Sequence, residues 1–472
     1  MPLGLARILV FSSSASVLVL EILAGRLMAP YVGVSLETFT GIIGVVLAGI
    51  AVGTALGGRA ADRFDPGALL GPAFVTGGAL SWWALWVVST LGPELGRGPA
   101  AIVGLSFLGF FAPAAVLSAV SPLVAKLRLH DLSETGAVVG SLSAWGTAGA
   151  LFGVFVTGFV LVAAWSTRSI VMLVGAGLVV AGAGLGGWHG RRRPSVAAVA
   201  VVLVSFGIGA TGSSPCQFES AYFCGRVIVD VDDPEVRRLV LDDLVHAAVD
   251  LENPDALQLR YVRLLAGAID AHRPGPLAVA HVGGGGFTLP GHVSRSRAGS
   301  TNTVFEIDDT LLEVARAQLG YVLDERTEVV IGDARVHLGD LESSSHDVVV
   351  GDAFGGAAVP WHLTTVEFLD EVVRVLRPDG VYLLNVIDGG DNAFAEWQAR
   401  TLLDRFAYVE VIAPVEGVDQ VANQILLASA APIQWFALGG DGEWVGDVAA
   451  FAEDGQVLTD DHAPVDQLLT TR

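Results

Sequence analysis

Hydrophobic positions are distributed unevenly along the 472-residue chain. Uncharged apolar runs recur at 38–58, 66–93, 98–125, 135–167 and 169–190. Each is long enough for a helix to cross about 30 Å of hydrocarbon. Residues 8–28 form another run, interrupted by Glu21, and 194–218 a shorter last one, so seven spans are predicted. The pattern then changes. Stretches 226–231, 237–241 and 247–251 alternate or run apolar, with Asp232-Asp-Pro234 as a turn, and predict a small antiparallel sheet. A helix is predicted over 254–271. Short buried-strand candidates follow at 277–282, 303–307, 328–331, 347–351 and 381–386. Helical stretches such as 310–319 and 365–376 lie between them, and 408–412 with 424–428 predicts a closing hairpin. This βαβα order predicts a parallel sheet with helices on both faces. The expected fold is an N-terminal polytopic α-helical membrane domain (1–212), a small β-rich region (213–252) and an α/β Rossmann-like domain (253–472).

Composition sharpens the division. The chain is 52% hydrophobic and 16% charged, with a mean hydropathy of +0.58, whereas soluble domains carry roughly 25% charge. Residues 1–212 hold a net +4 and the remainder −26. The acidic second half argues against nucleic acid as a partner, because a phosphate surface needs clustered cations. Lys126 is the only lysine. That excludes a P-loop and, in the second half, lysine Schiff-base chemistry. With only Cys216 and Cys224 there is no CxxC zinc site, and no metal is expected.

Loop charges predict orientation. Arg7, Arg59, Arg63, Lys126, Arg128, Arg191, Arg192 and Arg193 fall on one side, and Arg26, Arg97 and Arg168 on the other. The positive-inside rule then puts the N-terminus in the cytoplasm and, after seven spans, the C-terminal domain outside a cell membrane. The first span is not read as a cleaved signal, since further spans follow it. Segments such as Gly140-Ser-Leu-Ser-Ala-Trp-Gly-Thr-Ala-Gly149 suit close helix packing in lipid. Glu21 and Arg26 either serve a transported substrate or pair with each other. Pro113 and Pro122 are expected to kink their helix. In an external segment Cys216 and Cys224 would form a disulfide; two buried apolar thiols are the other reading.

The chemistry gathers in the second half. Strand 277–282 runs into Gly283-Gly-Gly-Gly286, where a ligand can approach the backbone and a helix N-terminus can face it. Glu306 ends the next strand twenty residues later, a spacing that suits a carboxylate accepting both ribose hydroxyls. The run is not GxGxxG, which argues against NAD or FAD. Asp333 either accepts from an adenine amino group or caps the helix beginning near Ala334. Asp352 ends the fourth strand, at the edge where such sheets bind ligands. It either holds an amine and takes its proton or is a turn residue.

Across about residues 220–430 these features resemble the spermidine synthase (polyamine aminopropyltransferase) family. The resemblance is carried by Gly283-Gly-Gly-Gly286, Val304-Phe-Glu-Ile-Asp308, Gly332-Asp-Ala-Arg335, Asp347-Val-Val-Val-Gly-Asp352, Leu376-Arg-Pro-Asp-Gly380 and Leu241-Asp-Asp-Leu244. The whole chain is similar to membrane-fused spermidine synthase-like proteins, through Trp361-His-Leu-Thr-Thr365 and Leu458-Thr-Asp-Asp-His-Ala-Pro-Val-Asp466. The resemblance implies decarboxylated S-adenosylmethionine, or S-adenosylmethionine itself, as donor. It implies a donor site of Gly283, Gly284, Gly285, Gly286, Glu306, Asp308, Asp333 and Ala334, with Asp352 as the catalytic residue. Substrate contacts would come from His246, Tyr261, Trp361 and His362.

The chain departs from the family at four points. Gly285 or Gly286 stands where the family's loop has an aspartate for the donor's amine, and the second carboxylate of its DxxD motif is Gly355. Its Tyr-His pair is Tyr261-Val262, and its hairpin glutamine is His246. A polyamine needs several carboxylates around it. Three functions therefore stand side by side: a membrane-tethered aminopropyltransferase acting on an amine; a methyltransferase-like enzyme with a membrane-borne acceptor; and a non-catalytic transporter or receptor with a nucleoside-binding domain. The lipid bilayer is the expected partner in all three, and oligomerisation is left open.

Overall fold

The computed structural model describes all residues except 97, 130–134, 189–195, 357, 390, 414–421, 433–442 and 471–472. The chain forms two compact units, Met1–Gly225 and Arg226–Arg472.

The first unit is helical. Among the described residues six helices are long and apolar enough to cross a bilayer: α1 (Leu3–Val32), α2 (Leu36–Arg63), α3 (Pro66–Leu95), α4 (Pro99–Arg128), α5 (Thr135–Ala164) and α6 (Thr167–Trp188). The seventh predicted span is shorter, a 16-residue helix α7 (Val196–Thr211). Gly212-Ser-Ser-Pro215 follows it, and the residue before a proline avoids helical backbone. Local chemistry sets the helix starts. Ser35 caps α2 by accepting from the Thr38 amide. Asp65 caps α3 by accepting from the Gly67 amide, with Pro66 as the first helical residue. Pro113 lies just past a wide π-helical turn, Phe107–Phe111, which contains the carbonyl its ring would crowd.

Small residues bring α1 and α5 into backbone contact. A Cβ on Gly149 would lie 2.2 Å from the Phe11 carbonyl, and one on Gly153 2.5 Å from that of Ala15. Arg26 does not turn to Glu21. It donates to Thr167 Oγ1 (3.3 Å) and to the carbonyls of Ser220 (2.6 Å) and Ala221 (2.7 Å). Arg128 donates to the Met1 carbonyl (2.8 Å). The start of the chain thus lies at one end of α1, and Thr167, Ser220 and Ala221 at the other. Of the loop cations counted above, Arg97, Arg191, Arg192 and Arg193 fall outside the described residues. Past α7, strand β1 (Phe218–Glu219) pairs antiparallel with the start of β2 (Cys224–Val229), and Cys216 is bonded to Cys224 (S–S 2.09 Å).

The second unit opens with an antiparallel hairpin of β3 (Val236–Leu241) and β4 (Leu244–Asp250). Helix α8 (Arg260–His272) starts later than the sequence pattern indicated, because 252–259 form turns and Leu259 is extended. An eight-stranded sheet follows. Its strands are β5 (Ala278–Val282), β6 (Thr301–Glu306), β7 (Thr327–Ile331), β8 (His346–Gly351), β9 (Leu376–Asp388), β10 (Tyr408–Ala413), β11 (Ala422–Ser429) and β12 (Glu443–Trp444), in the order β12-β10-β11-β9-β8-β5-β6-β7. Strands β5 to β9 are parallel, and β11 and β10 close the sheet as an antiparallel hairpin.

Successive strand residues point to opposite faces. Val279, Val348, Val350, Val381 and Leu383 therefore pack with Val262, Leu265 and Ile269 of α8 on one face. Ala280, Val282, Val349, Tyr382 and Leu384 pack on the other face, with Leu338 of α11 (Ala334–Leu338), Leu369 of α12 (Val366–Val375) and Phe394 of α13 (Ala393–Leu403). The order reverses at β5, between β6 and β8. At such a switch point the connections leave in opposite directions and open a crevice beyond the strand ends.

Candidate active site

Strand β5 delivers the glycine run to that crevice. Gly283 has φ +100, and a Cβ there would lie 2.5 Å from the Asp352 carbonyl, so no other residue fits. The loop is held from below by Glu306 at the end of β6. Its Oε2 accepts from the amides of Gly284 (2.8 Å) and Gly285 (3.0 Å), and its Oε1 from that of Asp308 (2.9 Å). Burial raises the Glu306 pKa, and these three amides oppose the rise. Asp308, itself buried, caps α10 (Asp309–Gln318) by accepting from Thr310. Phe287 then turns the chain in left-handed backbone (φ 56) into α9 (Thr288–Ser296) and provides no side-chain cap.

An open pocket lies against this loop, lined by Gly283, Gly284, Gly285, Gly286, His246, Tyr261, Thr288 and Asp352, with His281 and apolar Val262, Leu289, Pro290 and Val350. Asp352 sits just past β8, and its Oδ1 accepts from Asn385 Nδ2 (2.8 Å). Enclosure by protein pushes its pKa up to about 7, against the Asn385 bond, which lowers it. Asn385 is held in turn by Asn423 (3.0 Å). Tyr261 donates to the His246 carbonyl (3.0 Å). Burial and the nearby Asp352 charge raise the Tyr261 pKa, so the phenol stays protonated. Burial lowers His246 to about 4, so its ring is neutral at pH 7. A half-buried carboxyl with a pKa near neutrality at the edge of this pocket can take a proton from an amine as it becomes a nucleophile.

The remaining predicted positions form a separate group. Asp333 caps α11, accepting from Arg335 (2.9 Å), and its other oxygen faces His362 Nε2 at 3.1 Å. Ala334 is the buried first residue of that helix. Trp361 is 50% exposed beside His362. Arg335 ties the two C-terminal signatures together. It donates to the His362 carbonyl (2.7 Å) and Thr365 Oγ1 (2.9 Å) and pairs with Asp460 (2.6 Å). Thr365 Oγ1 also donates to Asp460 (2.7 Å). Trp361, His362, Asp333 and Ala334 do not line the pocket holding Asp352. Asn385, Asn423, Thr288 and His281 were not singled out from the sequence. A polar side chain in an otherwise apolar buried strand is the signal that marks Asn385 and His281. Among the described residues no cluster of three or more His, Cys, Asp or Glu could hold a metal.

Residues 258–390 match the model of the spermine/spermidine synthase domain. A polyamine aminopropyltransferase of Vibrio vulnificus is 33% identical over 112 residues, 23% of this chain and 38% of the relative. An eEF1A lysine and N-terminal methyltransferase of Danio rerio is 29% identical over 161 residues, 32% of this chain and 23% of the relative. The chain thus spans well under half the length of these relatives. A probable spermidine synthase from Corynebacterium glutamicum superposes with a TM-score of 0.49 and 26% identity, over 54% of this chain and 99% of that one. The α/β unit is spermidine synthase-like.

Proposed function

We propose that this spermidine synthase-like unit transfers an alkyl group from an adenosyl sulfonium donor to an amine, tethered to a bilayer by the helical unit. The observation that carries the proposal is the pocket bordered by both the Glu306-braced glycine loop and the half-buried Asp352. In the proposed step the amine lone pair attacks the carbon bonded to the sulfonium sulfur. The C–S bond breaks with its electron pair going to sulfur, which leaves as a neutral thioether. The nitrogen sheds a proton, and Asp352 takes it. Glu306 would meet the donor's ribose, and Asp333 with Ala334 would lie toward its base, with Trp361 and His362 beside them.

The family match supports decarboxylated S-adenosylmethionine as donor and aminopropyl as the group moved. The match to a methyltransferase that acts on lysine and N-terminal amines supports S-adenosylmethionine and methyl transfer. Both share the sulfonium donor, the amine nucleophile and the need for a base. The test is donor binding by the purified full-length chain, followed by mass analysis of products from candidate amines. A chain that binds no adenosyl compound refutes the transferase and leaves a transporter or receptor.

A further inference from the structure

We propose that Asn423 is a positioning residue for Asp352: acting through Asn385, it fixes the amide that addresses Asp352 Oδ1 and leaves Oδ2 as the oxygen that takes the proton. The inference rests on the transferase reading above, in which Asp352 is the base. It adds two residues that lie outside the pocket lining.

Strand register brings the three side chains together. Gly351 at the end of β8 pairs with Leu384 of β9, so Asp352 follows beside Asn385. Asn385 pairs with Ile425 of β11, and Asn423, two residues earlier, points to the same face. Because β11 runs antiparallel to β9, that step leads toward the carboxyl end of β9. Neighbouring positions on this face, Val350, Leu383, Ile425 and Leu427, are apolar core. Asp352, Asn385 and Asn423 thus form a polar row across β8, β9 and β11 at the edge of an apolar face.

Their hydrogen bonds run in one direction. An ionised carboxylate only accepts, whereas an asparagine amide donates from nitrogen and accepts at oxygen. Asn385 therefore turns Nδ2 to Asp352 (2.8 Å), which turns its own Oδ1 away. Asn385 is 1% exposed, and a buried acceptor left without a donor is costly. Asn423 Nδ2, 3.0 Å away, is the donor that meets it. Turning Asn385 end over end would set oxygen against oxygen at Asp352 and nitrogen against nitrogen at Asn423. Asn423 is itself held in place. Its carbonyl accepts from Arg260 (3.0 Å), which also donates to the Ala413 carbonyl of β10 (3.0 Å). Arg260 begins α8 and precedes Tyr261 of the pocket wall.

The other titratable groups around Asp352 are Tyr261, His246 and His281 of the lining, and Glu306 behind the glycine loop. Both imidazoles are neutral near pH 7, because burial lowers each to about 4. Tyr261 stays protonated. Against the burial that raises the Asp352 pKa stands the Asn385 bond, which favours the carboxylate only while its nitrogen faces Asp352.

The measurement is the infrared carbonyl band of protonated Asp352 in the full-length protein in detergent, followed against pH. Asp352→Asn identifies it as the band that variant lacks. Asn385→Leu should raise the titration midpoint by roughly one unit or more, the size of a hydrogen bond to a charged group. Asn423→Leu should raise it by roughly half a unit, and adding Asn423→Leu to Asn385→Leu should raise it no further. Asn423→Ala should act as Asn423→Leu does, which separates the lost donor from the fit of the new side chain. An unmoved midpoint in both Asn423 variants overturns the inference. So does an equal rise with and without Asn385, since Asn423 would then act by another route. Neither donor nor acceptor enters this measurement, so its failure is distinct from a failure to bind any adenosyl compound, which would remove the transferase.

Discussion

Replacing Asp352 by asparagine should make the protein more stable and far less active, and the size of the stability change follows from the burial of one carboxyl. Enclosure lifts its pKa from the ordinary 3.8 to about 7. At about 1.36 kcal/mol per pKa unit this corresponds to about 4 kcal/mol at most, and less where crevice water reaches the carboxylate. Between about pH 4 and pH 7 the folded chain keeps a proton that the unfolded chain has lost. Stability therefore falls as pH rises through that window and is level above it. The amide of Asp352→Asn carries no such proton and can still accept from Asn385, so the variant should lack this fall. The two proteins should be equally stable near pH 3, with the variant ahead at pH 8. Hydrogen exchange of β8 and β9 amides across this range, in full-length protein, reads the difference locally. Turnover should drop roughly 10²-fold or more, with little change in donor affinity. Parallel pH–stability curves, or near-normal turnover in the variant, would show that Asp352 neither bears this cost nor serves as the base.

Two further outcomes follow from its neighbours. Glu306→Gln should weaken any adenosyl donor by roughly 1.5–3 kcal/mol, because Gln loses one of the oxygens that brace the loop amides and, in the proposed complex, would meet the ribose; calorimetry on the folded variant checks this, and unchanged affinity removes the assignment. Asn385→Leu removes the one hydrogen bond that lowers the Asp352 pKa, so the acid limb of the wild-type rate profile, expected near pH 7, should move upward; an unmoved limb would detach that limb from Asp352.

Strands β5, β6 and β8 were legible because each carries a short apolar run that stops at Gly or Glu, and burial between helices demands that composition. Gly283, Glu306 and Asp352 were legible for the related reason that they end those runs, where such sheets bind ligands. Local pattern failed where a residue's role depends on a distant partner. Asp333 could not be assigned between cap and ligand, since its second oxygen faces His362, 29 residues away. Nor could Asn385 be linked to Asp352 before β8 and β9 were known to be neighbours. Arg26 was read against Glu21, nearby on the same helix, yet its partners are Thr167, Ser220 and Ala221. The π-helical turn Phe107–Phe111 that precedes Pro113 has no mark of its own in the apolar pattern.

The side of the bilayer on which the α/β unit lies turns on α7. Sixteen residues rise about 24 Å, short of the roughly 30 Å of hydrocarbon, so length alone does not make α7 a span. Its position in the helical unit argues that it crosses. Arg168, at the start of α6, donates to the carbonyls of Gly209 and Gly212 at the end of α7. Chain leaving along α6 therefore returns along α7 to the end it left. Arg26 joins that same end to α1, opposite Met1. We propose on this ground an odd number of crossings, which with a cytoplasmic N-terminus would place the Cys216–Cys224 loop outside, where disulfides persist. A bond across eight residues contributes about 2–3 kcal/mol by restricting the unfolded chain. The measurement is thiol labelling of denatured protein with and without reductant, alongside protease access to a C-terminal tag in intact spheroplasts. The expected result is no labelling until reduction, with an accessible tag. Two free thiols and a protected tag would put the unit in the cytoplasm, α7 would then not cross, and the sulfonium donor would be met where such compounds are made.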